Sequence, residues 1–177
     1  KHHFRPLEIG HKLLVRPGWN RQRPRPGQRV VVLDPGLSFG TGHHPTTRFC
    51  LAQLTACPTP DRAAGFLDIG TGSGLLAIAA AKLGFEPVDA FDFDPVSVRV
   101  ARTNARRNRT AEKIRILRDD IQNPRSAQGR PYGLVAANLT ADLLCAARRA
   151  LPESISVLEE AAAALGSPRG DVSRCAM

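Results

Sequence analysis

The segment Phe66-Leu67-Asp68-Ile69-Gly70-Thr71-Gly72-Ser73-Gly74 ends an apolar run with an acid and then sets glycine at every second position. Alternating glycines let a backbone bend tightly and approach a ligand with no Cβ in the way, at an entropic cost that a plain connector has no need to bear. The run Leu75–Leu83 behind them is helix-forming. A second apolar segment, Val88-Asp89-Ala90-Phe91-Asp92-Phe93-Asp94-Pro95, ends in carboxylates, and Asp92 stands 22 residues beyond Gly70. In open α/β sheets an acid at that place meets ribose hydroxyls. A dinucleotide fingerprint would also require glycine at position 75, where this chain has Leu75. A carboxylate at Asp68 disfavours a pyrophosphate and suits a ligand with an ammonium group. S-adenosylmethionine has an ammonium group, a ribose and no phosphate. The turn therefore reads as a methyl-donor site, with Asp68, Gly70 and Gly72 against the cofactor and Asp92 on its ribose.

A second block, Leu33-Asp34-Pro35-Gly36-Leu37-Ser38-Phe39-Gly40-Thr41-Gly42-His43-His44-Pro45-Thr46-Thr47, is rich in glycine and hydroxyl side chains and leads into a helix. Such a loop has backbone donors enough to fold over a ligand and hold its carboxylate, and Phe39, Thr41 and Gly42 are its candidate cofactor contacts. Adjacent His43 and His44 seldom face one ion and lack further ligands, so no metal site is expected; His43 as a general base is an alternative. Asn138 ends an apolar strand, where open sheets place ligands; its amide would accept from a substrate amine and aim the lone pair at the methyl group. A plain turn residue is the other reading. Asp119 and Asp120 either meet an adenine amino group or cap a turn.

These side chains need a frame. From Gly65 onward the pattern alternates: strand 66–69, helix 74–83, strand 88–93, helix 95–107, strands 114–118 and 134–138, helix 140–150. Strands separated by such helices imply a mostly parallel sheet of the Rossmann-like α/β class. Asp94-Pro95 is a helix start, with the acid as cap, which leaves Asp92 to the ribose. Upstream, Arg29–Asp34 is a β-branched strand, and Pro45-Thr46-Thr47 opens a helix through Leu54, with Thr46 as its cap and Phe49, Leu51 and Leu54 buried. Residues 1–29, basic and proline-rich, read as a lead-in arm with an edge strand or hairpin; 30–150 as the main domain; 151–177 as a divergent or truncated tail. The tail offers only the short apolar run Ile155–Leu158 and an alanine-rich stretch, so the sheet is expected to be incomplete at its C-terminal end.

The 177 residues suit one domain, and the net charge of +9 favours anionic partners, RNA among them, although the arginines are dispersed. The four cysteines form no CxxC pair, and neither a signal peptide nor a membrane-length apolar run is present, which together point to the cytoplasm.

Taken together, DPGLSFGTGHHPTT, LDIGTGSGLLAIAAAKLG, FDFDPVSVRVARTNARRN and VAANLTADLL resemble the PrmA family, bacterial methyltransferases acting on lysine and N-terminal amino groups of large-subunit ribosomal protein eleven. The lead-in from Phe4 to Trp19 is also similar, and the likeness covers roughly residues 4–150. It implies a class I S-adenosylmethionine-dependent methyltransferase fold, a ribosomal or other protein as substrate, and Thr47, Gly70, Asp92 and Asn138 as cofactor contacts. It also implies in-line transfer without a covalent nucleophile. The family's separate N-terminal recognition domain has no counterpart in this sequence, so an RNA or small-molecule acceptor, or a cofactor-binding remnant without activity, stand as alternatives.

Overall fold

The computed structural model describes residues 5–33, 45–57, 65–122 and 132–139. β1 (Leu7–Ile9) and β2 (Leu13–Pro17) form an antiparallel hairpin, and β3 (Arg29–Leu33) pairs parallel with β2. The residues before 30 thus form the expected hairpin, and Leu7, Ile9, Leu13 and Val15 belong to the main core. Helix α1 spans Pro45–Ala56. β4 (Phe66–Ile69), α2 (Leu75–Leu83), β5 (Val88–Asp92), α3 (Pro95–Arg107), β6 (Ile114–Arg118) and β7 (Leu134–Ala137) follow. Their strands make a sheet in the order β6-β5-β4-β7, with every pairing parallel. This is the mostly parallel Rossmann-like arrangement expected from the alternating pattern.

The period-2 alternation of each strand divides the core. Phe66, Val88, Ala90, Ile114 and Ile116 face α2, α3 and the smaller sheet, while Leu67, Ile69, Phe91, Val135 and Ala137 gather on the opposite face. Helix α2 explains why its sequence lacks a polar stripe: it packs against β3, α1 and the parallel sheet at once, and only Lys82 is partly exposed. A helix apolar all round is a buried helix. α3 is amphipathic by contrast, burying Val98, Ala101, Asn104 and Ala105. At its end Asn108 donates to the Val32 carbonyl (2.7 Å) and accepts from the Val32 amide (2.8 Å), replacing a strand partner for β3.

Two expectations for α1 are corrected. The helix begins at Pro45, so Thr46 lies inside the first turn and is not its cap; Thr47, Leu51 and Leu54 form the buried stripe, and Phe49 is only half-buried. The spacing of 47, 51 and 54 keeps one face inward, and residue 49 lies across the helix from it. The expected helix 140–150 and the elements of 151–177 lie outside the described residues.

Candidate functional site

The carboxyl ends of β4, β5 and β7 meet at the place where the chain order of the sheet reverses, β4 having β5 on one side and β7 on the other. Open α/β sheets bind ligands in that crevice. Gly70, Gly72 and Gly74 all have positive φ, at 67°, 53° and 80°, a region that L residues enter only under strain. An added Cβ at Gly70 would come within 2.3 Å of Leu139 Cδ2, and one at Gly74 within 3.1 Å of Ala101 on α3. Glycine is thus required at the first by its backbone, while the end of the Leu139 side chain would have to shift to admit a Cβ. The turn is held by the Thr71 amide on the Phe91 carbonyl (3.0 Å) and by Asn104 Nδ2 on the Ser73 carbonyl (2.8 Å).

Asp92 stands in the mouth of this turn. Its Oδ2 accepts from the Gly72 amide (2.8 Å) and its Oδ1 from the Asp94 amide (3.0 Å). A carboxylate offers about four lone-pair sites, so half its capacity remains for a diol. Asp94 caps α3 through the Val96 and Ser97 amides, as its sequence position implied.

Asp68 is arranged differently. It is 2% exposed and lies beneath the turn, where Oδ2 accepts from the Thr71 hydroxyl (2.6 Å) and from the Ala77 amide in the first turn of α2 (3.1 Å). Gly74, the residue before that helix, supplies no side-chain cap, so Asp68 satisfies an amide that α2 leaves unpaired at its start. Burial pushes its pKa up to about 6, against the pull of the Thr71 and Ala77 hydrogen bonds and with a small addition from Asp92. Cys50 has its thiol raised to about 11, first by burial and then by the charge of Asp68; it is no thiolate nucleophile.

On the β7 side, Asn138 Nδ2 donates to Thr47 Oγ1 at 2.9 Å, joining residues 91 positions apart. Thr47 is buried and Asn138 exposed, so the helix holds one limb of the amide and leaves Oδ1 for a ligand. Asp119 and Asp120 build the turn after β6: Asp119 Oδ1 accepts from the Asp120 amide and Asp120 Oδ1 from the Gln122 amide, both at 2.9 Å. Phe39, Thr41, Gly42, His43 and His44 lie outside the described residues. Thr71, Asn104 and Leu139 were not singled out from the sequence. Asn104, a polar residue on the buried stripe of α3, carried a signal; Leu139 over Gly70 carried none. Phe93, 66% exposed beside Asp92, is a further large apolar face at the site. Among the described residues no cluster of metal-ligating side chains occurs, and no helix is long and apolar enough to cross a membrane.

Residues 1–163 match the family model for ribosomal protein L11 methyltransferase (PrmA). The chain is 45% identical over 148 residues to the ribosomal protein L11 methyltransferase of Trichlorobacter lovleyi, covering 81% of this chain and 47% of that one. It is 42% identical to that of Desulfitobacterium hafniense, covering 81% and 44%. The chain thus spans about half the length of the curated relatives it matches. A crystal structure of ribosomal protein L11 methylase from Lactobacillus delbrueckii subsp. bulgaricus is similar with a TM-score of 0.71 at 30% identity, covering 81% of this chain and 71% of that one.

Proposed function

The chain belongs to the ribosomal protein L11 methyltransferase (PrmA) family, and from that premise we propose that it transfers methyl groups from S-adenosylmethionine to lysine or N-terminal amino groups of a ribosomal protein, in the cytoplasm. The observation that carries the choice of cofactor is the Asp68–Ala77 hydrogen bond. The N-terminus of the helix behind such a turn is where a dinucleotide's phosphates sit; here a buried carboxylate holds that place. A phosphate would feel like charge, whereas an ammonium group would feel a complementary one acting through the turn, Asp68 itself being buried beneath it. Bound there, S-adenosylmethionine supplies an electrophilic methyl group on a sulfonium.

The remaining work falls to the chain's own side chains. Asp92 keeps acceptor capacity for the ribose hydroxyls, Gly70 and Gly72 give backbone access, and Phe93 offers an apolar face beside them. Phe39, Thr41 and Gly42, in the glycine-rich sequence before α1, would add further cofactor contacts. Thr47 holds Asn138 so that Oδ1 accepts a hydrogen bond from the incoming amine and points its lone pair along the transfer axis. This is catalysis by positioning, without a covalent intermediate. Calorimetric titration with S-adenosylmethionine should give micromolar binding that Asp92→Ala loses. Labelled methyl groups should then pass to isolated ribosomal protein; label found only in RNA, or in nothing despite donor binding, would overturn the acceptor or the activity respectively.

A further inference from the structure

The outer side of α3 has a second chemistry. Pro95, Val98, Arg99, Arg102 and Arg106 recur at spacings of three and four, one side of a helix. With Arg118 from the end of β6 they line a cleft of about 340 Å³. Val98 is its buried floor, and the four guanidiniums are exposed. Two are anchored: Arg102 donates to the Ile116 carbonyl (3.3 and 2.7 Å), and Arg118 donates to the Phe93 carbonyl (3.3 Å). The guanidiniums of Arg99 and Arg106 make no hydrogen bond or ion pair among the described residues. Asp94, the acid at this end of α3, is engaged with the Val96 and Ser97 amides.

We propose that this cleft binds the phosphodiester backbone of single-stranded RNA. Guanidiniums are suited to bidentate contact with phosphate oxygens. A rise of about 1.5 Å per residue sets Arg99, Arg102 and Arg106 at successive steps of ~4.5 and ~6 Å, a row of like charges such as a regularly charged chain can follow. The net charge of +9 steers a polyanion toward it. No deep apolar pocket of the kind that selects a peptide side chain lies among its lining residues. The choice of RNA over DNA rests on the ribosomal acceptor proposed above; the phosphate contact does not.

The test is fluorescence anisotropy of a labelled, short, mixed-sequence RNA strand titrated with the whole chain across a salt series. The variant R99Q/R106Q should lose roughly tenfold in affinity at low salt, with a log K against log salt slope shallower by about 1.4. R21Q/R23Q, which removes the same charge from exposed lead-in residues, should leave both nearly unchanged. Circular dichroism melting establishes that each variant is folded without recourse to the methyl donor. Equal losses in both double variants would mean diffuse charge and overturn the site. Tighter binding of polyglutamate would make the partner an acidic protein, and tighter binding of single-stranded DNA would overturn the assignment to RNA.

Discussion

Under the proposed cofactor assignment, Asp68 ties cofactor choice to stability. Its folded pKa is raised from 3.8 to about 6, so the folded state holds the proton more firmly than the unfolded chain does. Stability contributed by the protonated group is complete below about pH 4 and is lost as pH rises toward about 6. Urea unfolding should show a decline of up to ~3 kcal/mol across that window, and Asp68→Asn should flatten it. A bound ammonium favours the ionised form, so calorimetric affinity for the donor should climb over the same pH range in the parent and not in Asp68→Asn. A flat parent profile would separate Asp68 from the ammonium group. At Gly70, alanine adds the left-handed strain of ~1–2 kcal/mol to the collision with Leu139. Melting of Gly70→Ala should drop accordingly, and adding Leu139→Ala should recover only part of the loss. The glycine turn and the place of Asp92 at its mouth were legible because both lie in local spacing. The Thr47–Asn138 bond was not, since 91 residues separate its ends and only the tertiary fold brings them together.

Among elements, the strands and helices from Phe66 to Ala137 fall within a residue of their sequence limits, because period and caps are local signals: Asp94 with Pro95 opens α3, and Gly84 in the left-handed region closes α2. The hairpin β1–β2 was harder to place. Nothing in its short apolar run reveals that β3 would pair parallel to it, which is a long-range fact. Asn108 likewise reads as a helix end and turns out to be a bridge between elements. Asn108→Ala leaves the Val32 amide and carbonyl without their partner, and should cost ~2–3 kcal/mol in the urea unfolding midpoint. Asn108→Asp, which keeps the acceptor but sets a buried carboxylate against the Val32 and Asn104 carbonyls, should cost at least as much.

At the scale of the molecule, the excess charge was legible in composition, and its concentration along α3 was not, because helical phase and a neighbouring strand create the cleft together. The two sheets share α2 as a common buried member, which predicts a single cooperative transition. Ile78→Ala, at 0% exposure, should cost about 2–4 kcal/mol, yet fluorescence of the sole tryptophan, Trp19, beside the small sheet, and far-UV circular dichroism should still shift together. Separate midpoints would mean that the sheets unfold independently. The carboxylate beneath α2 has one more consequence, for competition. Adenosine triphosphate and nicotinamide adenine dinucleotides carry the same adenosine half as the proposed methyl donor and would contend with it for Asp92. Each brings phosphate to a helix end that Asp68 already fills. Discrimination by rejection does not require tight embrace of the favoured ligand, so under the proposed cofactor assignment the turn would ignore abundant rivals and still let the spent donor go.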